Sequence, residues 1–330
     1  MKRVLITGAS GFIGSFLVEE TLKRAYEVSA GIRKLSSRKY LSDKAIHFEL
    51  LDLSSKGKLT SFFQQKPRYD FIIHAAGIIK TCDKSNFDTV NFLYTKNLIE
   101  SLYAARKIPS KFLFISSLAA MGPGNEGTLT PVKLSDIPHP VTLYGKSKLR
   151  AEQFIQSLSG FPYLILRPTG VYGPREKDYY LAFKSIQNHI ETYVGAKEQH
   201  LTFLHVSDLS RLAFDALESP VKNKIYFVTD LKRYTAVQFN GLIKKILRKK
   251  TIIIVFPKFF IRWIIYFNEK ISCFFGKPAT LNSDKYNELI SKNWLCETNE
   301  IVNDFGFQPQ YNLEKGLYKT LKWYKKEKWL

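Results

Sequence analysis

Val4-Leu5-Ile6-Thr7-Gly8-Ala9-Ser10-Gly11-Phe12-Ile13-Gly14 decides how this chain is read. A short apolar run stops at Thr7. Three glycines follow at three-residue spacing, and an apolar-periodic segment runs from Phe12 to about Leu22. The pattern predicts a strand, a glycine turn and a helix. Gly8 permits a tight turn at positive φ, Gly11 lets the backbone come close to a ligand, and Gly14 lets the helix pack near the strand. The free N–H groups at the helix start then face the turn and favour a pyrophosphate. A glycine triad alone is a weak signal; its position directly after a strand gives it weight.

Outward from this turn, short apolar runs alternate with helix-length segments. Strands are predicted at Val28–Ile32, Ile46–Leu50, Phe71–His74, Phe112–Ile115 and Tyr163–Leu166, the last stopped by Arg167-Pro168. Helices are predicted at Phe87–Lys107 and Leu143–Leu158. This alternation implies βαβ units, a doubly wound parallel sheet with helices on both faces, and ligands at the carboxyl ends of the strands. The chemistry-bearing residues do follow strands: Arg33, Ser36 and Arg38, then Asp52-Leu53, Ala75-Ala76-Gly77, Ser116-Ser117, and Pro168 to Pro174.

The end of the second strand selects the cofactor. An unphosphorylated dinucleotide wants an acid there for its ribose 2′-hydroxyl, whereas a 2′-phosphate wants arginine. The chain offers Arg33 and no acid between Ser29 and Lys39. The expectation is therefore NADP, with NAD as the alternative, held chiefly by Arg33 with Arg38 or Ser36 as helpers.

Tyr144-Gly145-Lys146-Ser147-Lys148 supplies the reactive groups. Tyr144 and Lys148 are four apart near a helix start and share a face. A phenol of ordinary pKa near 10 is a poor base at neutral pH. An adjacent ammonium favours the phenolate, which can then exchange a proton with an alcohol or carbonyl oxygen. Ser117 can hydrogen-bond that same oxygen.

Together these residues resemble an extended short-chain dehydrogenase/reductase of the NAD(P)-dependent epimerase/dehydratase group. Thr7 to Gly14 is similar to the group's TGxxGFIG, Asp52-Leu53 to its adenine-side DL, and His74 to Gly77 to its HAA[AG]. Val90-Asn91 and Asn97 resemble VNxxGTxN, although Tyr94-Thr95 replaces Gly-Thr. Arg167 to Pro174 and Leu204-His205-Val206-Ser207-Asp208 complete the set, which spans most of residues 1 to 210. The resemblance implies a Rossmann-type fold. It gives Tyr144 as acid/base, Lys148 as ribose ligand and pKa modulator, and Ser117 as polariser of the substrate. It gives Thr7, Gly8, Ser10, Gly11, Phe12, Ile13, Gly14, Arg33, Arg38, Asp52, Leu53, Ala75, Ala76, Gly77, Asn91, Ser116, Pro168, Gly170 and Val171 as cofactor contacts. No metal is expected. A homodimer through the two long helices is implied by the resemblance alone. The division expected is residues 1–174 and 202–231 for the dinucleotide domain, and 175–201 and 232–330 for a smaller substrate domain.

The branch follows from departures. Ser117-Leu118-Ala119 stands where dehydratases carry Thr-Asp-Glu, which argues against water elimination. Ala120-Met121-Gly122 lacks the tyrosine usual in epimerases. Arg33 is similar to dihydroflavonol-reductase-like and 3β-hydroxysteroid-dehydrogenase-like members, which implies hydride transfer on a bulky, hydrophobic alcohol or ketone. The alternatives are a nucleotide-sugar epimerase and a non-catalytic sensor of the cofactor's redox state.

Bulk properties bound the rest. The 330 residues, 45% hydrophobic and without repeats, can bury a large core, which excludes solenoids and disordered tails. The net charge of +21 favours anionic partners, and a denser basic patch covers Lys244, Lys245, Arg248, Lys249, Lys250, Lys258 and Arg262. No motif supports nucleic acid. Cys82, Cys273 and Cys296 form no metal spacing and no disulfide framework. With Met1-Lys2-Arg3 running straight into the first strand, the expectation is a cytoplasmic protein without a signal peptide. Thr251 to Phe275 reads as one amphipathic helix with an aromatic face: a lid, ordinary packing, or a membrane contact through residues 258–275. His205 is read as a packed histidine, and Trp294 to Leu330 as a structural helix pair without chemistry.

Overall fold

The protein is described by a computed structural model covering residues 1–195, 198–279 and 281–330. In chain order its strands are β1 (Arg3–Thr7), β2 (Glu27–Ile32), β3 (Ile46–Leu50), β4 (Phe71–His74), β5 (Lys111–Ile115), β6 (Tyr163–Pro168), β7 (Gly170–Tyr172), β8 (Ile190–Val194), β9 (His200–Leu201), β10 (Phe203–His205), β11 (Lys224–Val228), β12 (Tyr234–Thr235) and β13 (Ile252–Phe256). The helices are α1 (Phe12–Lys23), α2 (Lys56–Gln65), α3 (Ser85–Asp88), α4 (Tyr94–Ala104), α5 (Leu143–Gln156), α6 (Tyr180–Gln187), α7 (Val206–Glu218), α8 (Ala236–Leu247), α9 (Lys258–Phe274), α10 (Ser283–Ile290), α11 (Asn299–Phe305) and α12 (Leu313–Lys326).

Seven strands pair in the order β11-β6-β5-β4-β1-β2-β3, and every pair is parallel. The apolar run of β1 explains its central place. Val4, Leu5 and Ile6 are all fully buried, as required of a strand covered on both faces. Side chains alternate across the sheet. Val4 and Ile6 join a layer with Leu17, Val18, Leu212 and Phe214 from α1 and α7. Leu5 points the other way, to Leu59, Leu98, Leu102 and Ile155 from α2, α4 and α5. From β1 the chain winds outward first to β2 and β3, then returns to β4 on the other side. The crevice where direction reverses lies between the carboxyl ends of β1 and β4. A third cluster, with Tyr172, Phe203, Phe239, Leu317 and Tyr324, packs α8 and α12 beside the sheet.

Three expectations are corrected. The helix read across Phe87–Lys107 is interrupted: between α3 and α4, residues Thr89–Leu93 form a π-helical turn. The segment from Thr251 to Phe275 is not one helix. Its β-branched start, Ile252–Phe256, pairs in parallel with β8, and Pro257 then opens α9. The cysteine reading also fails. Cys82, on the loop after β4, is disulfide-bonded to Cys273 of α9, with Cα atoms 5.5 Å apart across a sequence separation of 191. Spacing along the chain could not show this, because only the tertiary fold brings that loop and helix together. Cys296 remains a buried thiol, pushed up to about 12 by burial.

Candidate active site

The glycine turn forms the floor of the crevice. Gly8 sits at φ +69°, and a Cβ there would lie 2.7 Å from Ala76 Cα, so the β1 and β4 ends close tightly. A Cβ on Gly14 would overlap the Gly8 carbonyl oxygen. Thr7 Oγ1 meets His74 Nδ1 at 2.6 Å, and His74 Nε2 meets Thr95 Oγ1 at 2.9 Å. That buried bridge ties β1 to β4 and α4. Burial pushes His74 down to about 3, so the ring is neutral.

No side chain caps α1, and its first turn carries no acid. The starts of α6, α9 and α11 are likewise uncapped, whereas α2, α5, α8, α10 and α12 are each closed by a Ser, Thr or Asn side chain. The N–H groups of the α1 start, flanked by half-buried Ser10, Phe12 and Ile13, thus remain available to an anion. This open terminus fits a dinucleotide pyrophosphate. At the β2 end, Arg33 is exposed, and its N–H donates to Ser36 Oγ at 3.1 Å. Arg38 stacks over Phe48 at 4.2 Å. Asp52 accepts from Lys58 Nζ at 2.8 Å and from Ser54, which hold its carboxyl below the usual range. The Leu53 carbonyl accepts from Asn97.

Asn91 lies on the π-turn and is fully buried. Its amide donates to the Ile78 carbonyl and Ser147 Oγ, and its carbonyl accepts from Ile78 N–H at 2.8 Å. It therefore shapes the loop after Ala75-Ala76-Gly77 rather than standing free. A Cβ on Gly77 would sit 2.9 Å from Asn91 Oδ1 and 3.4 Å from Lys148 Nζ, so this loop reaches the helix that carries Tyr144 and Lys148. On the far side, Pro168 is buried and Gly170 and Val171 are half-buried. Between them the Thr169 hydroxyl is buried without a partner.

Helix α5 starts at Thr142, whose side chain accepts from Gly145 N–H. Tyr144 and Lys148 share its inner face, as their spacing predicts. The Ser117 hydroxyl accepts from Ala119 N–H at 3.1 Å and lies close enough to the Tyr144 phenol to lower its pKa. Burial is nevertheless the largest influence on that phenol and pushes it well above its ordinary value. Lys148 is buried, donates to the Ile115 carbonyl at 2.8 Å and lies 4.5 Å from the Phe114 ring centre. Burial draws it down to about 8, opposed by the charge of Glu152.

Two features went unread in the sequence. Glu152 follows Tyr144 and Lys148 at the same four-residue step. Its carboxylate takes a forked pair from buried Arg167, at 2.6 and 3.1 Å, and also accepts from Ser116. Ser116 is thus oriented beneath the site. The repeated spacing Tyr144, Lys148, Glu152 was the available signal. The second feature is α10. Asp284 accepts from the Leu143 and Tyr144 N–H groups at 2.6 and 3.2 Å, and Glu288 lies near enough to raise the Tyr144 pKa further. Lys285 bridges Asp178 and Glu288, each at 3.8 Å, so a charged wall stands beside the phenol. His205 is packed between Tyr172 and Tyr311 and caps α7 through Nδ1. Among the described residues no cluster of His, Cys, Asp or Glu could hold a metal.

Residues 4–228 match the family model described as NAD dependent epimerase/dehydratase family. The chain is 28% identical over 249 residues to sterol-4-alpha-carboxylate 3-dehydrogenase, decarboxylating, from Dictyostelium discoideum, covering 70% of this chain and 72% of that one. It is 23% identical over 329 residues to ceramide reductase from Caulobacter vibrioides, covering 99% and 96%. The fold superposes on UDP-glucose 4-epimerase from Thermotoga maritima, solved with UDP-glucose. The TM-score is 0.80 at 20% identity, with 98% and 99% of the two chains covered. The chain belongs to the NAD-dependent epimerase/dehydratase family, as an enzyme of the extended short-chain dehydrogenase/reductase superfamily.

Proposed function

We propose that this chain moves a hydride between NADP(H) and a secondary alcohol or ketone of a bulky, hydrophobic kind. The observation that carries the reading is the convergence of Ser117, Tyr144 and Lys148 beside the crevice that holds the uncapped α1 terminus. The cofactor, when bound, supplies or accepts the hydride. Tyr144 exchanges the proton at the substrate oxygen, and Ser117 holds that oxygen against the phenol. Lys148, fixed by the Ile115 carbonyl, presents its ammonium to the Gly77 loop where a ribose would lie. Leu118 and Ala119, buried and apolar, offer no acid for dehydration. Arg33 supports the 2′-phosphate: it is exposed at the β2 end with no acid beside it. The names of the sterol and ceramide relatives support a lipid-like substrate.

The charged wall of Asp178, Lys285 and Glu288 favours a second reading, epimerisation of a nucleotide sugar on tightly held cofactor. Titration of NADPH and NADH into wild type and Arg33→Asp tests the first reading. A preference for NADPH that Arg33→Asp reverses supports it, and equal affinities in both proteins sink it. Turnover on hydrophobic ketones and UDP-sugars separates the two reactions, since only the reductase consumes cofactor steadily.

A further inference from the structure

Helix α9 is inside out. At about 100° per residue, Phe259, Trp263, Phe274, Phe267, Phe260, Ile271, Ile264 and Phe275 fall within an arc of roughly 160°. A surface helix ordinarily turns such an arc to the core. Here Ile261 and Ile265 are the buried side chains, on the opposite side with Glu269. The aromatic arc faces outward, with Phe259 70%, Trp263 61%, Phe267 56% and Phe274 86% exposed. Two of the helix's polar groups turn to the protein: Glu269 accepts from Ser283 N–H of α10 at 2.9 Å, and the Lys258 backbone carbonyl accepts from the Tyr286 hydroxyl. The preceding strand β13 adds exposed Ile252 and Ile253, 73% and 48% accessible. An apolar surface of this extent costs free energy in water and marks a place where something docks.

Charge identifies the occupant. Between Lys244 and Lys277 the chain carries nine lysines and arginines, of which Lys244 and Lys245 pair with Glu191 and Glu314, and one acid, Glu269, which is already engaged. Just after α8, Lys249 is half-buried and Lys250 exposed; on α9 exposed Arg262 flanks the aromatic arc and exposed Lys270 falls just within its edge. A second copy of this chain meeting the face symmetrically would bring like charges together. An anionic bilayer surface satisfies both features: apolar and aromatic side chains enter the headgroup boundary while the basic rim meets lipid phosphates. Among the described residues no helix is long and apolar enough to cross a membrane, which agrees with a helix lying in the plane. We propose that α9, with the basic end of α8, docks this enzyme on anionic lipid bilayers.

The position gives the docking a purpose. The inner side of α9 is joined to the loop after β4 by the Cys82–Cys273 disulfide and to α10 by Glu269. Helix α10 in turn holds the N-terminus of α5 at Tyr144 through Asp284. The lipid-facing helix therefore backs onto the elements that frame the reactive phenol.

Co-sedimentation with vesicles tests the proposal and is independent of the cofactor reading. The probes are phosphatidylcholine vesicles with and without phosphatidylglycerol, against wild type, Trp263→Gln/Phe267→Gln and Arg248→Glu/Lys249→Glu/Lys250→Glu. Wild type should bind the anionic vesicles, and added salt should weaken that binding. The aromatic double variant should bind about tenfold or more weakly, and the charge-reversed variant should lose the preference for phosphatidylglycerol. Unchanged thermal melts would show that both variants are folded. Absence of binding to either vesicle, equal binding to both, or a wild-type dimer in solution that the aromatic substitutions dissolve would overturn it.

Discussion

Helices α5 and α9 are both amphipathic, and the fold uses them in opposite ways. On α5 the inner face holds polar groups in the dry, and almost every one has a partner: Lys148 with the Ile115 carbonyl, Glu152 with Arg167 and Ser116, Ser147 with Asn91. On α9 most of the aromatic side chains stand in water, while Glu269 turns inward to α10. The contrast separates two kinds of functional surface. A reactive face costs stability through burial of charge, which partners then offset. A docking face costs stability through exposed apolar area, which only an external partner relieves.

The contrast can be broken or sharpened by substitution, and the largest effect belongs to α5. Tyr144→Phe should lower turnover by about a thousandfold while leaving cofactor affinity and melting temperature near wild type. Unchanged turnover would remove Tyr144 from the chemistry and revive the reading of a cofactor sensor. Next comes the charge beneath the site. Glu152→Gln strands buried Arg167 and should destabilise the fold by about 3–5 kcal/mol in urea unfolding. Glu152→Met/Arg167→Met should recover most of that loss, because two apolar side chains then replace the pair.

An acid-side effect should be smaller. His74 has a folded pKa near 3 against an ordinary 6.5. As pH falls through this window the unfolded chain takes up a proton that the folded chain refuses, so stability is lost between about 6.5 and 3. His74→Gln should therefore show a shallower acid limb than wild type in melts across that range; parallel limbs would mean that His74 does not titrate as its burial requires. Smallest of all, Trp263→Gln/Phe267→Gln on α9 should shift stability in vesicle-free buffer by no more than about 0.5 kcal/mol. A large loss there would mean that the aromatic arc packs against the protein, and the contrast with α5 would collapse.

What could be read in the sequence follows from how far each signal travels along the chain. The glycine turn, the strand ends and the Tyr144/Lys148 step are local patterns tied to a period of two or 3.6 residues, and they located the crevice and the inner face of α5 beside it. Glu152 was one further step on the same helix, but its partner Arg167 stands on β6, and only sheet pairing brings the two together. Asp284 and the Cys82–Cys273 bond join segments more than a hundred residues apart, for which no local pattern exists. For α9 the sequence showed two faces but not which one the protein would claim. That was settled by contacts with α10, where Glu269 caps its neighbour. The extended start at Ile252–Phe256 was hidden inside the same apolar run, since short β-branched runs carry no helical or strand period of their own.

The central claim, net hydride transfer governed by Tyr144, is tested most directly with NADPH deuterated on the transferred position of its nicotinamide ring. The enzyme would be incubated with a long-chain ketone or a steroid ketone in anionic vesicles, and the extracted lipid analysed by mass spectrometry. Wild type should place one deuterium on the carbinol carbon of the product, and Tyr144→Phe about a thousandfold less. Unlabelled lipid, with cofactor unconsumed and a UDP-sugar converted to its epimer in the parallel reaction, would contradict it.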